Sequence, residues 1–414
     1  MRVVHVNTSE TQGGAARAAS RIHKALLQTG IDSHMLVQSK ETDDCTVMGP
    51  GTSMQKAAAI IRPFLDKLPK LFYKNGPKAH FSAAWVPMSG IANRINALKP
   101  DIVHLHWIGE GMMSIEEIAR IKSPIIWTLH DSWAFTGGCH VRLSCERYLD
   151  GCGSCPVLGS RRQRDLSSIV FNRKKRTYSK IKNFSITAPS KWLAESAAAS
   201  KLLGERKVVP IPIPLDTRSF SPVAKSVARN ILNLPEKKQF ILFGAKNALG
   251  DQNKGFTLLL DSLNRIQTED VELLIIGSNK PAIPFETGIE THYLGTIHDN
   301  IALQIIYSAA DVTVVPSYQE AFGQAATESM SCGTPVVAFG TTGLLDIVDH
   351  KANGYLAEPY STADLAKGID WVLSNKNNET TGRAAREKAV SAFDVSVVIQ
   401  AYLEQYKKAL GIGS

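Results

Sequence analysis

The chain has 414 residues, which is longer than one ordinary domain and predicts two or three. Hydrophobic residues make up 44% of it, as in globular proteins, and no apolar run approaches the roughly 18 residues that a membrane-spanning helix needs. The first residues enter a strand pattern directly and show no signal peptide, so we expect a cytoplasmic protein.

Two segments carry much of the formal charge of +9 and suggest an anionic partner. The first lies at residues 161–182. In the second, residues 56–78, lysines alternate with large apolar residues, which predicts a basic amphipathic segment lying peripherally on an anionic membrane surface. Pro63 and Pro69 are expected to break or kink a helix there, and an ordinary surface segment fits the pattern equally well. Nucleic acid is not an expected partner, because no recognisable binding motif accompanies the charge.

Four of the six cysteines crowd into one segment, which points to a metal site because disulfides are uncommon in the cytoplasm. They are Cys139, Cys145, Cys152 and Cys155. The last two have the Cys-x-x-Cys spacing of a zinc knuckle, with a glycine at the turn. The pattern predicts a structural zinc ion, and the alternative is four reduced, partly buried thiols.

The first half alternates buried strands with helices, as in a doubly wound parallel sheet. The expected strands cover residues 2–7, 34–37, 101–107, 125–129 and 184–188. A loop containing Gly13 and Gly14 leads from the first strand into a helix that ends at Gly30, and this order makes a phosphate-binding candidate. The loop lacks the third glycine of the dinucleotide-binding fingerprint, which argues against a dehydrogenase.

Alternate prolines at residues 210, 212 and 214 predict an extended connector, after which a second alternation begins. Its expected strands cover residues 240–243, 273–276, 291–294, 312–315 and 335–338. The sequence therefore predicts an α/β protein with two doubly wound, Rossmann-like domains facing a central cleft. We place them at residues 1–210 and 211–390, with residues 391–414 as a helix that closes back on the first domain.

The stretch after the expected strand at 312–315 contains two carboxylates, Glu320 and Glu328. Open α/β sheets bind ligands at the carboxyl ends of their strands, where carboxylates accept hydrogen bonds from the hydroxyls of a sugar or a ribose. The alternative is a helix with one solvated glutamate at each end.

Other strand ends supply further candidates for the same cleft. His130 follows a strand of the first half and is able to donate to a sugar hydroxyl or to neutralise phosphate. Lys254 stands beside a helix start, where its charge suits a diphosphate, and Gly277 lets backbone approach a flat base. A packed histidine and a solvated lysine are the structural alternatives.

These residues lie in a pattern that resembles the retaining glycosyltransferases of family four (group 1), which have the GT-B fold. The resemblance rests on the Glu320 and Glu328 pair with the following residues 331–338, on Lys254 with its glycine, and on residues 101–104, 128–131 and 189–193. Residues 133–140, with the later cysteines, are similar to a subgroup that builds bacterial exopolysaccharide and O-antigen and includes colanic acid glycosyltransferases.

The resemblance implies a role for each matching residue. Glu320 would hold hydroxyls of the donor sugar, Glu328 the nucleotide ribose and Lys254 the diphosphate, while His130 would lie near the transferred sugar. The implied donor site also includes Gly13, Gly14, Lys246, Gly277, Phe322 and Gly323. The donor would be a UDP- or GDP-linked sugar.

The chain shows no Asp-x-Asp metal motif, so no cofactor is expected for catalysis. The family mechanism implies instead that Lys254, backbone N–H groups and helix dipoles stabilise the leaving diphosphate. Family members usually carry an arginine just after the strand-end glycine, where this chain has Ala245 and Lys246. A lysine supplies only a point charge in place of a bidentate fork.

The resemblance implies a hexosyltransferase that retains the anomeric configuration. It would bind a lipid-linked saccharide acceptor in the first domain and a nucleoside-diphosphate sugar in the second, in bacterial surface polysaccharide biosynthesis. Two alternatives stay open: a GT-B transferase for a soluble acceptor, and a catalytically silent nucleotide-sugar-binding partner of a polysaccharide assembly.

Overall fold

The computed structural model describes residues 1–412 except positions 74, 75, 77, 78, 284, 286 and 287. The chain divides into two compact units, one made of Met1–Pro212 and Ile399–Ser414 and the other of Ile213–Val398. The first boundary lies two residues beyond the one placed at residue 210 from the sequence, and the second lies within the expected closing helix.

The first unit is built on a seven-stranded sheet in which every pairing is parallel. Its strands are β1 (Arg2–Ser9), β2 (Asp32–Ser39), β3 (Val47–Met48), β4 (Ile102–Leu105), β5 (Ile125–Thr128), β6 (Phe184–Ala188) and β7 (Val208–Pro210). They are ordered β3-β2-β1-β4-β5-β6-β7, so the strand order reverses between β1 and β4. The apolar runs that predicted these strands are buried on both faces, as parallel strands require.

Six helices connect these strands. They are α1 (Gly14–Gln28), α2 (Ser53–Lys67), α3 (Ile91–Ala97), α4 (Ile115–Ile118), α5 (Leu166–Tyr178) and α6 (Lys191–Ala199). Short 3-10 turns cover Leu68–Phe72, Trp133–Phe135, Arg147–Leu149 and Pro156–Leu158. In α1 the buried face is formed mainly by alanines with Ile22 and Leu26, a spacing that matches the 3.6-residue period.

The basic segment was expected to hold a helix that its prolines break or kink, and the helix is not broken at Pro63. Helix α2 runs without interruption through Pro63, and Pro69 lies in the 3-10 turn that follows it. The guanidinium of Arg62 fastens this helix to the rest of the unit, since it donates to the carbonyl oxygens of Val86 and Gly111 at 2.7 and 2.5 Å. These bonds offset the cost of a proline inside a helix. Lys74 and Lys78 of the segment lie outside the described residues.

The second unit contains a six-stranded parallel sheet in the order β10-β9-β8-β11-β12-β13. Its strands are β8 (Gln239–Gly244), β9 (Val271–Ile276), β10 (Thr291–Tyr293), β11 (Val312–Val315), β12 (Val336–Phe339) and β13 (Gly354–Ala357). Its helices are α7 (Lys225–Ile231), α8 (Phe256–Leu263), α9 (Asn300–Ala309), α10 (Gln324–Ser331), α11 (Thr362–Leu373) and α12 (Asn375–Lys388). The strand order reverses between β8 and β11, which makes their carboxyl ends the ligand-binding edge of such a sheet.

The last helix, α13 (Val395–Ala409), returns the chain to the first unit. Tyr402 and Tyr406 are fully buried, and the hydroxyl of Tyr406 lies 2.7 Å from Nδ1 of His104 on β4. The two doubly wound units confirm the predicted α/β architecture. None of the described helices combines the length and the apolar character that crossing a bilayer demands.

Candidate functional site

Two loops of the second unit meet at the carboxyl ends of β8 and β11. The meeting depends on Gly255, which has a φ of +70° and whose added Cβ atom would lie 1.9 Å from the carbonyl oxygen of Pro316. The N–H of Tyr318 donates to the carbonyl of Asn253 at 2.9 Å, and the amide of Asn253 donates to the carbonyl of Gln319 at 2.8 Å. The two loops are therefore one hydrogen-bonded structure.

Lys254 and Glu320 form an ion pair where these loops join. Nζ of Lys254 lies 2.7 Å from Oε1 of Glu320, and the same oxygen accepts a bond from the hydroxyl of Ser317 at 2.9 Å. Burial opposes the charge of Lys254, but the carboxylate of Glu320 outweighs that effect and raises the pKa of the amine above its ordinary value. The pair thus offers a fixed cation beside an acceptor for hydroxyl groups.

The loop after β12 supports Glu320 from its other side. The N–H of Glu320 donates to the hydroxyl of Thr342 at 3.0 Å, and its carbonyl accepts from the N–H of Gly343 at 2.9 Å. A Cβ atom on Gly343 would lie 2.7 Å from the carbonyl oxygen of Ala321, so glycine is required for this approach. Glu320 is held by its backbone as well as by its side chain.

Helix α10 begins directly after this loop. Gly323 has a φ of +123°, a conformation that L side chains rarely adopt, and its added Cβ atom would lie 2.8 Å from Cδ2 of Leu344. The side chain of Phe322 is 2% exposed and packs edge-on against Phe393, with ring centroids 5.6 Å apart. Phe322 therefore anchors the loop in the core.

Glu328 lies inside α10 and is 1% exposed. The hydroxyl of Tyr307 donates to its Oε2 at 3.1 Å. The alternative interpretation, one solvated glutamate at each end of a helix, is therefore wrong for this pair. A carboxylate is costly to bury unless it is hydrogen-bonded, and the hydroxyl of Tyr307 supplies one such bond.

The other two candidates of this unit lie at the ends of β8 and β9. Gly277 has a φ of +92°, and a Cβ atom there would lie 1.8 Å from the carbonyl oxygen of Ala245. The glycine is thus required by the packing of two strand ends, whatever ligand binds beside it. Lys246 is exposed, so its charge is available at this edge.

In the first unit, Gly13 and Gly14 begin α1 as expected. Gly13 is the N-cap residue with a φ of +92°, and Gly14 is the first residue of the helix. A Cβ atom on Gly13 would meet nothing within 4 Å, so glycine is needed there for its backbone conformation and not for space. The N–H groups of the first helical turn follow directly, and the N-terminal end of a helix suits an anion.

His130 follows the carboxyl end of β5 and is partly buried. Its Nε2 lies 3.0 Å from Nδ1 of His106, which follows β4. The neighbouring Asp131 is bonded to Nδ1 of His140 at 2.6 Å and to Nε1 of Trp107 at 2.8 Å. Burial opposes the charge of Asp131, but its bonds to His140 and Trp107 hold the pKa of the carboxyl below its ordinary value. All five side chains line one pocket.

Acidification is expected to destabilise the first unit. Burial lowers the pKa of His104 to about 3 and that of His23 to about 4, against roughly 6.5 in an unfolded chain. The stability that these neutral rings contribute is complete above about pH 6.5 and is lost as the pH falls towards the folded pKa values, by up to about 1.4 kcal/mol per pH unit for each ring. Urea unfolding at about pH 7 and about pH 4.5 measures this loss.

His23→Gln should flatten that pH dependence, because it removes one ring that must charge on unfolding. His298 is exposed, so His298→Gln is the matched control and should leave the slope unchanged. Equal stability of the wild-type protein at the two pH values would contradict the prediction.

The four clustered cysteines line one cavity of the first unit, together with Arg142, Tyr148 and Gly137. The N–H of Gly137 donates to the sulfur of Cys152 at 3.1 Å. Burial raises the pKa of the Cys139 and Cys152 thiols to about 12. In the part of the chain that the structure describes, no three of the four sulfur atoms lie within 4.8 Å of one another. The thiols thus share a cavity without converging on a single point.

Sequence reasoning missed several residues that complete these sites. In the second unit they are Ser317 and Thr342, which fix Glu320. In the first they are Trp107, Asp131 and His140 around His130, with His106 behind it. The sequence did contain one signal for these residues, namely His104 and His106 at alternate positions in and after a buried strand. Polar side chains in a parallel sheet need hydrogen-bond partners, so this pair indicates further polar residues nearby.

Comparisons with known proteins identify the family. Residues 12–219, half of the chain, match the sequence model described as Glycosyltransferase Family 4. Residues 225–388 match the one described as Glycosyl transferases group 1. The D-inositol 3-phosphate glycosyltransferase of Xylanimonas cellulosilytica is 30% identical over 218 residues, which cover 49% of this chain and 51% of that protein. The chain therefore spans about half the length of this relative.

Solved structures share the whole fold at low sequence identity. Sucrose-phosphate synthase from Thermosynechococcus elongatus has a TM-score of 0.70 and 19% identity, with both chains covered completely. HepE of Anabaena, in complex with UDP and glucose, has a TM-score of 0.67 and 17% identity over 99% of this chain and 100% of that one. WaaG, a glycosyltransferase involved in lipopolysaccharide biosynthesis, has a TM-score of 0.63 and 16% identity over 98% and 99%. The chain thus has the predicted GT-B fold, and it belongs to glycosyltransferase family 4.

Proposed function

We propose that the protein is a retaining hexosyltransferase that moves a hexose from a UDP- or GDP-linked sugar to a lipid-linked saccharide. The reaction would serve bacterial surface polysaccharide biosynthesis at the cytoplasmic face of the membrane. Residues 1–210 would bind the acceptor and residues 211–390 the donor, with the helix at 391–414 packed on the first domain.

The observation that carries this proposal is the ion pair of Lys254 and Glu320 at the reversal of strand order. A donor sugar diphosphate needs a cation for its phosphates and an acceptor for its hydroxyls, and these two side chains supply both within one contact. Glu328, which lies in the helix that follows the same loop, would accept the ribose hydroxyls. Lys246, Gly277, Phe322 and Gly323 would complete the donor site, and Gly13 and Gly14 are further candidates for binding the diphosphate.

In the reaction, the bond between the anomeric carbon and the diphosphate breaks as the acceptor hydroxyl attacks from the face that the diphosphate leaves. The departing phosphate takes the hydroxyl proton, so no side chain acts as general base. Lys254 and backbone N–H groups stabilise the charge that develops on the leaving group, and no metal cofactor is required. Glu320 positions the sugar, and His130 is the candidate donor of a hydrogen bond to the transferred sugar.

Two relatives support the nucleotide-sugar donor and the pathway. HepE was solved with UDP and glucose, and WaaG is involved in lipopolysaccharide biosynthesis. The similarity of residues 133–140 and the following cysteines to exopolysaccharide and O-antigen enzymes favours the same kind of pathway. A soluble acceptor is the second candidate, because a relative is named for D-inositol 3-phosphate.

The test is a panel of UDP-, GDP-, ADP- and dTDP-sugars scored by thermal stabilisation and by slow donor hydrolysis. One nucleotide class should stabilise the protein, and Glu328→Gln should reduce that shift, since bound ligand stabilises by mass action. Transfer assays with a polyprenyl-linked saccharide and with inositol 3-phosphate separate the two acceptor classes. Binding without turnover on either acceptor would favour the silent partner, and no binding would end the proposal.

An anionic bilayer is the proposed partner of the basic segment. Helix α2 and the turn after it expose Ile60, Phe64 and Phe72, whose exposed fractions are 68%, 68% and 87%. Exposed lysines at positions 56 and 67 lie on the same segment. A peripheral membrane helix typically inserts apolar side chains into the bilayer interface and places cations beside the anionic headgroups.

Replacement of Lys56 and Lys67 by glutamate should weaken binding to phosphatidylglycerol vesicles by at least roughly 30-fold, since each lysine contributes about 1 kcal/mol near such a surface. Vesicle sedimentation measures the effect. Lys201 and Lys237 are exposed elsewhere, so the same change there is the charge-matched control. Equal binding of both variants would show that the segment is an ordinary surface.

A structural zinc ion is proposed for Cys139, Cys145, Cys152 and Cys155. Zinc would have to draw the sulfur atoms together, because tetrahedral Zn–S bonds of about 2.3 Å place sulfurs about 3.8 Å apart. The N–H of Gly137 already faces one sulfur, as it would face a metal-bound thiolate. Bound zinc would also replace the thiols of Cys139, Cys152 and Cys155, whose pKa values burial raises, by stabilised thiolates.

Elemental analysis should find about one zinc per chain, and removal of the metal should lower the melting temperature. Cys152→Ser should lose the ion. Cys332→Ser is the control, because Cys332 is a buried free cysteine that lies in the other unit. Zinc-free protein from zinc-containing medium would leave the four reduced thiols as the correct interpretation.

A further inference from the structure

Three histidine rings form a hydrogen-bonded row that ends at His130. Nδ1 of His5 lies 2.9 Å from Nε2 of His106, and Nδ1 of His106 lies 3.0 Å from Nε2 of His130. Successive rings are close to parallel, at 22° and 27°. His5 and His106 are 0% and 2% exposed, so water does not compete for these bonds.

The row carries one proton per ring. Burial lowers the pKa of His5 and His106 well below the ordinary range and that of His130 to about 4, so all three rings are neutral at neutral pH. A neutral imidazole has one N–H donor and one nitrogen acceptor. Each hydrogen bond between two rings needs one N–H donor and one nitrogen acceptor. All three rings must therefore donate in the same direction along the row.

The far end of the row decides between the two directions. Nε2 of His5 is buried and has no hydrogen-bond partner among the described residues. If the rings donated away from His130, this atom would be an N–H without an acceptor, which proteins avoid more strictly than an acceptor without a donor. Donation towards His130 leaves only an unused lone pair there.

We propose that His106 and His5 are positioning residues that hold the proton of His130 on Nδ1. His130 then presents an N–H donor to a ligand in its pocket while Nε2 is occupied by His106. Because Nε2 of His5 has no partner, protons neither enter nor leave at that end, and the row fixes a tautomer without relaying protons. That the ligand is a donor sugar rests on the proposed function, whereas the tautomer does not.

A metal ion is the competing explanation for this histidine cluster. One ring nitrogen from each of His5, His104 and His106 lies within 4.8 Å of the others. Both nitrogens of His104 already have partners, however, at 2.7 Å from the hydroxyl of Tyr406 and 2.6 Å from that of Thr128. A metal at this position would break bonds of His104 and of the row itself.

The direct test is the ring-nitrogen NMR spectrum of histidine-¹⁵N-labelled protein without ligand. The His130 signal, assigned by its loss in His130→Gln, should show a protonated Nδ1 and an unprotonated Nε2. A proton on Nε2 would overturn the proposal, as would zinc that the wild-type protein holds and His5→Gln lacks. This wild-type spectrum decides the question even if the variants below do not fold.

Two variants separate positioning from packing. His106→Asn places an amide nitrogen near the position of Nδ1 and should keep the His130 tautomer, whereas His106→Gln places it near Nε2 and should release it. We expect His106→Gln to lower kcat roughly 10- to 100-fold with little change in KM, and His106→Asn to recover much of that loss. If both variants lost kcat equally and the tautomer of His130 stayed unchanged, His106 would be only a packing residue. Failure of every donor to bind would count against the proposed function alone.

Discussion

Lys254→Met should lower kcat by roughly 10²- to 10³-fold, because it removes a preorganised cation from the position where leaving-group charge develops. Methionine keeps most of the length and the apolar stem of lysine, so the hydrogen bond that joins the loops of Asn253 and Gln319 should survive. The affinity for free nucleoside diphosphate should fall as well, by roughly 10- to 100-fold, which corresponds to a lost charge-assisted hydrogen bond. Single-turnover kinetics with the donor identified in the panel, together with calorimetric titration of its diphosphate, measure both effects.

A matched variant controls for charge and for the substitution itself. Lys237 is exposed and precedes β8, so it lies at the end of that strand opposite to Lys254. Lys237→Met should leave both quantities unchanged. If Lys254→Met retained turnover within about three-fold, the leaving group would be stabilised elsewhere, with Lys246 as the first residue to examine.

The sequence predicted this edge of the sheet because its signals are local. The apolar run of β11 and the polar stretch after it place Glu320 at a strand end from periodicity alone. The partner of Glu320 was beyond such reasoning, since Lys254 lies 66 residues away and the contact exists only because Gly255 lets backbone reach Pro316. The roles were therefore predicted separately, for a diphosphate and for a sugar, although in the ligand-free protein the two groups neutralise each other.

The incorrect expectations share a physical cause, which is tertiary packing. A helix through Pro63 contradicts the local propensity of proline, and it persists because Arg62 bonds to backbone far along the chain. The expectation that Gly277 lets a ligand approach stays a prediction, but tertiary packing supplies a separate reason for glycine there, because its φ and its distance from Ala245 already require it. Glu328 was weighed as a solvated end residue, and only the packing of Tyr307 against it shows a buried carboxylate.

Opposite effects on binding and turnover are expected from Glu320→Gln. Glutamine has nearly the shape of glutamate but no charge, so Lys254 would lose the anion that neutralises it at 2.7 Å. A free nucleoside diphosphate should then bind more tightly, by roughly five-fold for each 1 kcal/mol of competition removed. Turnover should fall by roughly 10²-fold or more, because the sugar hydroxyls lose a charged acceptor that places the anomeric carbon. A merely structural glutamate would lower both quantities together, so the split identifies its role.

The pH dependence of diphosphate binding gives the same variant a second, independent readout. In the wild-type protein burial opposes the charge of Lys254 and Glu320 outweighs it, which keeps the pKa of the amine above the ordinary range. In Glu320→Gln the effect of burial is opposed only by the weaker attraction of Asp251, so the pKa falls and the cation is lost at a lower pH than in the wild type. Diphosphate affinity of the variant should therefore decline on the alkaline side, where the wild-type protein still binds. Parallel pH profiles for the two proteins would mean that Glu320 does not govern the charge of Lys254, and the ion pair would then be a consequence of the loop's fold with no part in the donor site.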